Sequence, residues 1–123
     1  MAFEKFLYSG KTFKPRIAIR QNGQIGFNKG AEKRFELNKY EYIILYYDKE
    51  EQKIGIQLTN EENIKGVMKL QKRPLNIAIS AKSFFEYYNI SYSETKIYDP
   101  EWDEKNKMII IKLKSTEGQQ YGG

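Results

Sequence analysis

The sequence contains an internal repeat, which constrains the architecture of a chain more strongly than any single motif does. Residues 24–28 (QIGFN) correspond to residues 76–80 (NIAIS), and a short stretch of helical character follows each. Each half then continues through a Tyr-Asp pair to an apolar strand, at residues 54–58 and 109–113. We therefore predict an α+β fold of two ββαββ repeats with pseudo-twofold symmetry, mainly antiparallel sheet with two short helices.

Composition indicates one globular domain and argues against an enzyme. The chain has 123 residues, of which 40% are hydrophobic and 30% are charged, and this suits one soluble domain with its own core. It contains no Cys and no His, which excludes disulfides, thiolate chemistry and nearly every zinc or haem site. The commonest general base is missing as well. We therefore expect a protein without catalytic residues, metal or cofactor.

The sequence shows neither a membrane span nor a secretion signal. No apolar run approaches the roughly 20 residues that a transmembrane helix needs. The chain does not begin with a basic segment followed by a long apolar one. We therefore expect a cytoplasmic protein that does not bind membranes.

Alternation and turn signals predict the elements of the first repeat. Ile17 and Ile19 alternate with other residue types, which is the period of a half-buried strand. Asn22-Gly23 is a strong hairpin signal that leads into a partner strand. Asn28 is placed to cap a helix that follows. The predicted elements are strands over residues 14–20 and 25–27, a helix over 29–37, and strands over 40–47 and 53–59.

The second repeat has the same order and a longer final hairpin. Pro74 turns the chain after the first strand, and Ser80 is placed to cap a helix that ends near Asn89. We expect residues 1–114 to form one domain and residues 115–123 to be a flexible tail. The two repeats span 14–59 and 67–114. The second contains strands over 67–73, 75–79 and 95–98, an apolar helix side of Phe84, Tyr87 and Tyr88, an acidic turn over 99–106, and a strand over 107–114.

The first repeat resembles the AbrB, MazE and MraZ group of swapped-hairpin domains. The resemblance rests on residues 16–20 (RIAIR), residues 22–27 (NGQIGF) and a short basic helix with Lys33, Arg34 and Phe35. It extends more loosely over residues 67–113. MraZ-type proteins carry two such units in one chain, so the resemblance implies two units that complete one another and bind DNA.

A second resemblance implies another strand order. Residues 40–90 can be read as four strands followed by a helix. The step from residues 77–80 (IAIS) into Phe84 and Phe85 is similar to that of the Whirly and transcriptional-coactivator fold, which binds single-stranded DNA. Both resemblances imply two-layer α+β packing and nucleic-acid binding, and the choice between duplex and single strand stays open.

Positive charge is concentrated in two parts of the chain. Residues 1–40 carry nine Lys or Arg and three Glu, and residues 64–83 carry five Lys or Arg and no acid, whereas residues 84–104 carry one Lys and six acids. Strands in which basic residues alternate suit phosphate contacts, although a basic face also serves solubility alone. Each repeat is predicted to contain a strand of this kind. In the strand of the second repeat, Gln71 lies between two basic residues. The predicted phosphate-binding residues are Arg16, Arg20, Lys29, Lys33, Arg34, Lys69 and Arg73.

Tyrosines on the third predicted strand are a further candidate. Tyr42 and Tyr46 lie on one face of this strand together with Ile44, and apolar residues also lie on the other face. Exposed aromatic rings beside basic residues suit the stacking of single-stranded bases, whereas core packing is the simpler interpretation. We therefore include Tyr42 and Tyr46 among the candidate nucleic-acid-binding residues. Because one face is left uncovered, it would serve as a dimer contact or as a ligand face, and of the two we predict a homodimer.

The acidic turn around Trp102 has four carboxylates that could hold a hard cation. It lacks the glycine and the final Glu of a calcium loop, so we predict a solvated hairpin with Trp102 fixed to the core. Taken together, these features predict a non-catalytic DNA-binding protein, a candidate regulator of transcription. The alternative is a small protein–protein interaction or assembly module that does not bind nucleic acid.

Overall fold

A computed structural model describes residues 14–113, so the predicted tail over residues 115–123 lies outside the described residues. The helices are α1 (Lys29–Arg34) and α2 (Lys82–Tyr87), and a 3-10 turn covers Leu37–Lys39. The strands are β1 (Ile17–Ile19), β2 (Gln24–Phe27), β3 (Tyr42–Asp48), β4 (Lys53–Thr59), β5 (Val67–Lys69), β6 (Gln71–Lys72), β7 (Ile77–Ser80), β8 (Lys96–Tyr98), β9 (Glu101–Asp103) and β10 (Met108–Lys112).

The strands form two antiparallel sheets of five strands each, which confirms the predicted α+β fold class. Sheet A has the order β6-β7-β2-β1-β8, and sheet B has the order β5-β3-β4-β10-β9. The strand pairs of the two halves correspond when β5 and β6 are counted as one strand and β8 and β9 as another. The two central pairs are β2 with β7 and β4 with β10. The pair β1 with β8 then corresponds to the pair β3 with β5. The pseudo-twofold repeat and the family resemblances stay predictions.

Two segments of chain pass from one sheet into the other. Only Leu70 separates β5 from β6, and only Asp99 and Pro100 separate β8 from β9. The two sheets are therefore joined at both of their edges around one core. Pro100 marks the second change of sheet because it lacks the N–H that a continuing ladder needs.

Both passages correct the predicted elements. The single strand expected over residues 67–73 is divided between the two sheets at Leu70, whose side chain is buried and whose N–H donates to Glu41 O at 2.9 Å. The acidic turn expected over residues 99–106 contains β9, because Trp102 pairs with Ile109 and places a large ring toward the core side. Local composition indicated a loop, and pairing with β10 overrode it.

The core lies between the inner faces of the two sheets. Ile17 and Ile19 of sheet A are buried, and so are Ile54 and Ile56 of sheet B. In each strand the buried residues alternate with residues that face away, as the period of a pleated strand requires. The remaining buried hydrophobic cluster includes Ile25, Phe27, Ala31, Phe35, Leu37, Ile43, Leu70, Ile77, Ile79, Ala81, Phe85, Ile90, Ile109 and Ile111.

Asn28 caps α1 as predicted and also holds the start of β1. Its Oδ1 accepts hydrogen bonds from Ala31 N at 2.8 Å and from Arg16 N at 3.0 Å, and its Nδ2 donates to Lys14 O at 2.7 Å. The helix is shorter than predicted and ends at Arg34. Glu36 follows in the left-handed conformation, with φ of 54°, which stops an α-helix from continuing.

The second helix differs from its prediction at both its cap and its buried side. Ala81, not Ser80, occupies the cap position, and its N–H donates to Gly23 O at 2.9 Å in place of a side-chain cap. Phe85 is fully buried, whereas Tyr87 is 79% exposed. The β1–β2 turn thus anchors the residue at which α2 begins, and no side chain in the described part of the chain caps the N–H groups of the first turn of α2.

Candidate nucleic-acid interface

The outer face of sheet A comprises the side chains that point away from the core. Because Ile17 and Ile19 enter the core, Arg16, Ala18 and Arg20 lie on the opposite side of β1. Residues that are paired across neighbouring strands point to the same side of a sheet. The pairing register therefore shows which residues of the other strands lie on this face. Ala18 pairs with Ile97 and Gly26, Gly26 pairs with Ala78, and Ala78 pairs with Gln71.

Arg20 lies flat across this face, over Gly26. A Cβ atom on Gly26 would lie 2.5 Å from Cζ of Arg20, so the guanidinium occupies the space that a side chain would fill. Ala18 and Ala78 flank Gly26 in the same cross-strand row. The row of small residues therefore makes room for the guanidinium, which covers Gly26, and a ligand on this face would meet the guanidinium first.

Two further arginines lie on the outer face of sheet A. Arg73 Nη2 donates to Gln71 Oε1 at 2.7 Å, which holds that guanidinium beside β6. Arg16 Nε lies 2.8 Å from Asp99 Oδ1 in an exposed ion pair. Among the described residues, Arg20 and Arg73 form no ion pair with a carboxylate, so their charges are available to an anion.

The strands of the two sheets differ in charge. None of the five strands of sheet A contains Asp or Glu. The strands of sheet B contain Asp48, Glu101 and Asp103. The strands of sheet B also contain three lysines, Lys53, Lys69 and Lys112, so an anionic polymer would meet charges of both signs there. On the outer face of sheet A it would meet the arginines that flank the strands, without a carboxylate in the strands themselves.

The predicted basic residues of α1 lie apart from the strands of sheet A. Lys29 Nζ lies 3.6 Å from Glu32 Oε1 and donates to Pro74 O at 3.4 Å, so it links α1 to the β6–β7 turn. Lys33 is exposed, and Arg34 Cζ lies 6.0 Å from the centre of the Phe35 ring. These residues extend the positive surface beyond the sheet without sharing its face.

Lys69, Tyr42 and Tyr46 lie on the outer face of sheet B, away from the arginines. Tyr42 and Lys69 are cross-strand partners. The Tyr42 hydroxyl donates to Glu62 Oε1 at 3.1 Å, and this hydrogen bond raises the pKa of Tyr42. The expectation that Lys69 and Arg73 belong to one basic strand face is wrong, because the strand changes sheet between them.

Sequence reasoning missed the residues that position the arginines. Gly26 holds no charge, yet its missing side chain makes room for the Arg20 guanidinium. A glycine inside a predicted strand is a signal of close approach, and Gly26 carried that signal. In the sequence Gln71 is recognisable only as a residue that alternates with basic ones. Its role in holding the Arg73 guanidinium depends on a side-chain contact between the two residues.

A groove of about 510 Å³ lies at the exposed edge of sheet B, on the Trp102 side. Trp102 is 41% exposed and stacks on Phe35, with ring centres 6.1 Å apart, so it is only partly fixed to the core. Arg34 and Lys107 add positive charge to the groove wall. The groove is a second surface where a flat group could bind, and it lies outside the outer face of sheet A.

The carboxylates around Trp102 bind separate partners. Asp99 pairs with Arg16, and Glu101 pairs with Lys112 at 3.3 Å. Hydrogen bonds from Asn106 lower the pKa of Asp103. Within residues 14–113, no group of three or more carboxylates converges as a cation site would require.

Glu104 makes the acidic hairpin sensitive to pH. Its contact with Lys107, together with a hydrogen bond of 2.8 Å from Trp102 Nε1, lowers the pKa of Glu104 below its ordinary value of 4.5. The ionised carboxylate therefore stabilises the hairpin at pH above 4.5, and this contribution is lost as the pH falls through the lowered pKa. We expect the emission of Trp102, the sole tryptophan, to change in that acid range.

The matched variant is Glu104→Gln, which retains an oxygen acceptor for the indole but removes the titrating group. Its Trp102 emission should change much less between neutral pH and the acid range, while circular dichroism reports whether the fold persists. Identical pH profiles for the two proteins would contradict this assignment.

Within residues 14–113, neither helix has the length and apolar character needed to cross a lipid bilayer. Comparisons of the chain with protein-family models, with curated proteins and with solved structures found no match.

Proposed function

We propose that the protein binds nucleic acid without catalysis and that the outer face of sheet A contacts the phosphates. The observation that carries this proposal is the guanidinium of Arg20, which lies across Gly26 on a sheet whose strands contain no acid. Arg73 and Arg16 lie on the same face. Guanidinium groups suit phosphate because they donate two parallel hydrogen bonds in a fixed plane.

The arrangement of the arginines favours binding to an extended polyanion. Gly26 and Gln71 each restrict one guanidinium before any ligand arrives, which reduces the entropy lost on binding. Neutral polar side chains, Gln24 and Ser80, are cross-strand partners on the same face and could donate to phosphate oxygens. Such contacts set position and affinity, and they do not read base sequence.

DNA is the nucleic acid that we propose, in keeping with both resemblances in the sequence, and regulation of transcription in the cytoplasm is the role that would follow. The outer face of sheet A offers no row of exposed aromatic rings for base stacking, since Arg, Gln, Ala, Gly and Ser predominate there. Duplex DNA is therefore the preferred ligand, because its backbone can be bound without unstacked bases.

A matched pair of variants tests the proposal. Arg73→Gln removes a charge from the outer face of sheet A, and Lys69→Gln removes one from sheet B only four positions away. We expect Arg73→Gln to weaken duplex binding by about tenfold at low salt and to reduce the slope of log K against log salt by about one. Lys69→Gln, with the same net charge, should leave that slope unchanged. Fluorescence anisotropy over a salt series measures both.

Gly26→Ala is a further test variant, and it leaves the net charge of the protein unchanged. The added Cβ would displace the flexible end of the Arg20 side chain, so the fold should be retained while duplex affinity falls. If wild-type protein binds neither duplex nor single-stranded DNA in a salt-sensitive manner at low ionic strength, the proposal fails. Equal effects of Arg73→Gln and Lys69→Gln would also contradict the assignment of the face.

The alternative function, a protein interaction module, is supported by the other side of the molecule. Tyr46 is 44% exposed on the outer face of sheet B, and half-buried apolar residues surround it. Such a face binds protein more readily than nucleic acid, because it combines a partly exposed aromatic ring with three carboxylates and three lysines in the same strands. Protein assembly in the absence of any DNA binding would favour this alternative.

A further inference from the structure

We propose that two copies of this chain pack face to face through the outer faces of their sheets B, with β9 of one copy over β5 of the other. The outer face of sheet B comprises the side chains of β3, β4, β5, β9 and β10 that point away from the core. Its apolar centre consists of Ile44, Tyr46, Val67, Met108 and Ile110. This inference is independent of nucleic-acid binding, which is assigned to the opposite sheet.

The apolar centre is continuous across the middle strands. Tyr46 and Ile110 both pair with Gly55, so they form one cross-strand row. A Cβ atom on Gly55 would lie 2.9 Å from Sδ of Met108, which shows that the methionine covers the glycine. In the neighbouring row Ile44 pairs with Val67. On β4 the partner of Ile44 is polar, since Gln57 accepts a hydrogen bond from the Tyr46 hydroxyl at 2.7 Å, and Ile44 itself is only 9% exposed. The apolar surface that a partner could cover therefore follows the row of Tyr46 and Ile110.

This surface is unlike the solvated face of an ordinary antiparallel sheet. Such sheets usually alternate between an apolar inner face and a polar outer face. In β3, however, Ile43 is buried in the core while Ile44 and Tyr46 point the other way. A hollow of about 520 Å³ opens beside Tyr46, Gly55 and Ile110. Its wall also carries charges of both signs, from Asp48, Lys53, Glu101, Asp103 and Lys112. A partner that fills it therefore needs apolar groups for the centre, which it removes from water, and charged groups around them.

Charges of opposite sign lie at the two edges of this face. Lys69 is exposed on β5, and Asp103 lies on β9 at the opposite edge. Hydrogen bonds from Asn106 lower the pKa of Asp103, so its carboxylate stays ionised at neutral pH. Glu101, also on β9, is paired with Lys112 of its own chain. The edge charges with which a partner could form ion pairs are therefore those of Lys69 and Asp103.

This charge pattern selects one symmetry axis for a face-to-face dimer. A twofold axis parallel to the strands places β9 of each copy over β5 of the other. By register Asp103 lies in the cross-strand row of Val67, so Lys69 of the second copy is one row away, within reach of its long side chain. An axis perpendicular to the strands places β9 over β9 and brings like charges together. Two-fold related faces must be complementary to themselves, and only the first arrangement satisfies this requirement.

A second copy fits this face better than nucleic acid does. Phosphates would meet three carboxylates beside three lysines there, and the apolar centre would gain nothing from a polyanion. A second copy supplies both an apolar centre and the opposite charge at each edge. Dimers formed in this way leave the two outer faces of sheet A directed away from each other.

Sedimentation of the full chain without nucleic acid tests the dimer, and charge reversal tests its axis. Lys69→Glu and Asp103→Lys should each weaken association by about tenfold, and the double variant should restore it to within about twofold of wild type. Lys65→Glu, an exposed position outside the sheet, makes the same charge change and serves as the control. Circular dichroism verifies that each variant is folded.

A monomeric wild type at about 100 μM would overturn the proposal, since a specific interface of standard size is expected to associate below that concentration. Failure of the double variant to regain association, or an equal effect of Lys65→Glu, would overturn the proposed axis. Because no nucleic acid is present, these outcomes are unaffected by whether the outer face of sheet A binds DNA.

Discussion

Replacing Phe85 with alanine is expected to lower the free energy of unfolding by about 3–5 kcal/mol, the usual effect of removing a fully buried phenyl ring. Phe85 lies on α2 with no exposed surface. Its ring contacts Phe84 and Tyr92, with centres 6.0 Å and 5.3 Å away. Alanine favours the helix more than phenylalanine does, so the loss comes from packing and not from helix propensity.

The same helix provides the control for this effect. Tyr87 is 79% exposed, and Tyr87→Ala should change the free energy of unfolding by no more than about 0.5 kcal/mol. Urea denaturation followed by circular dichroism measures both variants under identical conditions. Similar losses of unfolding free energy for Phe85→Ala and Tyr87→Ala would show that α2 does not turn Phe85 into the core and Tyr87 toward solvent.

Gly23→Ala is expected to destabilise the protein more than Gly66→Ala, although both glycines have similar backbone angles. Their φ values are 85° and 89°, a region that alanine enters at about 1–2 kcal/mol. At Gly23 the new Cβ would also lie 2.8 Å from Cβ of Lys82, and 3.2 Å from its Cα. At Gly66 it would meet nothing within 4 Å.

The contact between Gly23 and α2 accounts for the difference. Gly23 O accepts the hydrogen bond from Ala81 N that begins the helix, so the turn and the helix cannot separate without losing it. Overlap of this kind adds about 1–3 kcal/mol to the backbone strain. We therefore expect a loss of about 2–5 kcal/mol for Gly23→Ala against about 1–2 kcal/mol for Gly66→Ala, measured by urea denaturation. Equal losses would mean that backbone strain alone acts at both sites.

Local sequence patterns predicted those features that depend on neighbouring residues. The hairpin at Asn22-Gly23 is present, with three residues in the turn and Gly23 at positive φ. Asn28 caps α1 because its side chain can reach the N–H of Ala31, three residues away. Alternation placed Ile17 and Ile19 in the core. In each case the relevant partners are close in the chain.

Features that depend on distant partners were not predictable in this way. The change of sheet at Leu70 and the strand within the acidic turn follow from pairing with β3 and β10. The cap of α2 follows from a hydrogen bond between Ala81 and Gly23, which are far apart in the chain. Periodicity describes which residues of a strand share a side, but it does not state which sheet the strand joins.

The candidate site also combines features set by neighbouring residues with features set by residues far apart in the chain. The sequence by itself determined that the chain is an α+β protein, that Arg16 and Arg20 share one side of a strand, and that apolar residues lie on both sides of the strand with Tyr42 and Tyr46. Only the tertiary structure decided that Arg16, Arg20 and Arg73 share one face, while Lys69, Tyr42 and Tyr46 lie on another. The physical reason is that a side chain's direction is set locally by the period of its strand, whereas its neighbours across a sheet are set by long-range hydrogen-bonded pairing.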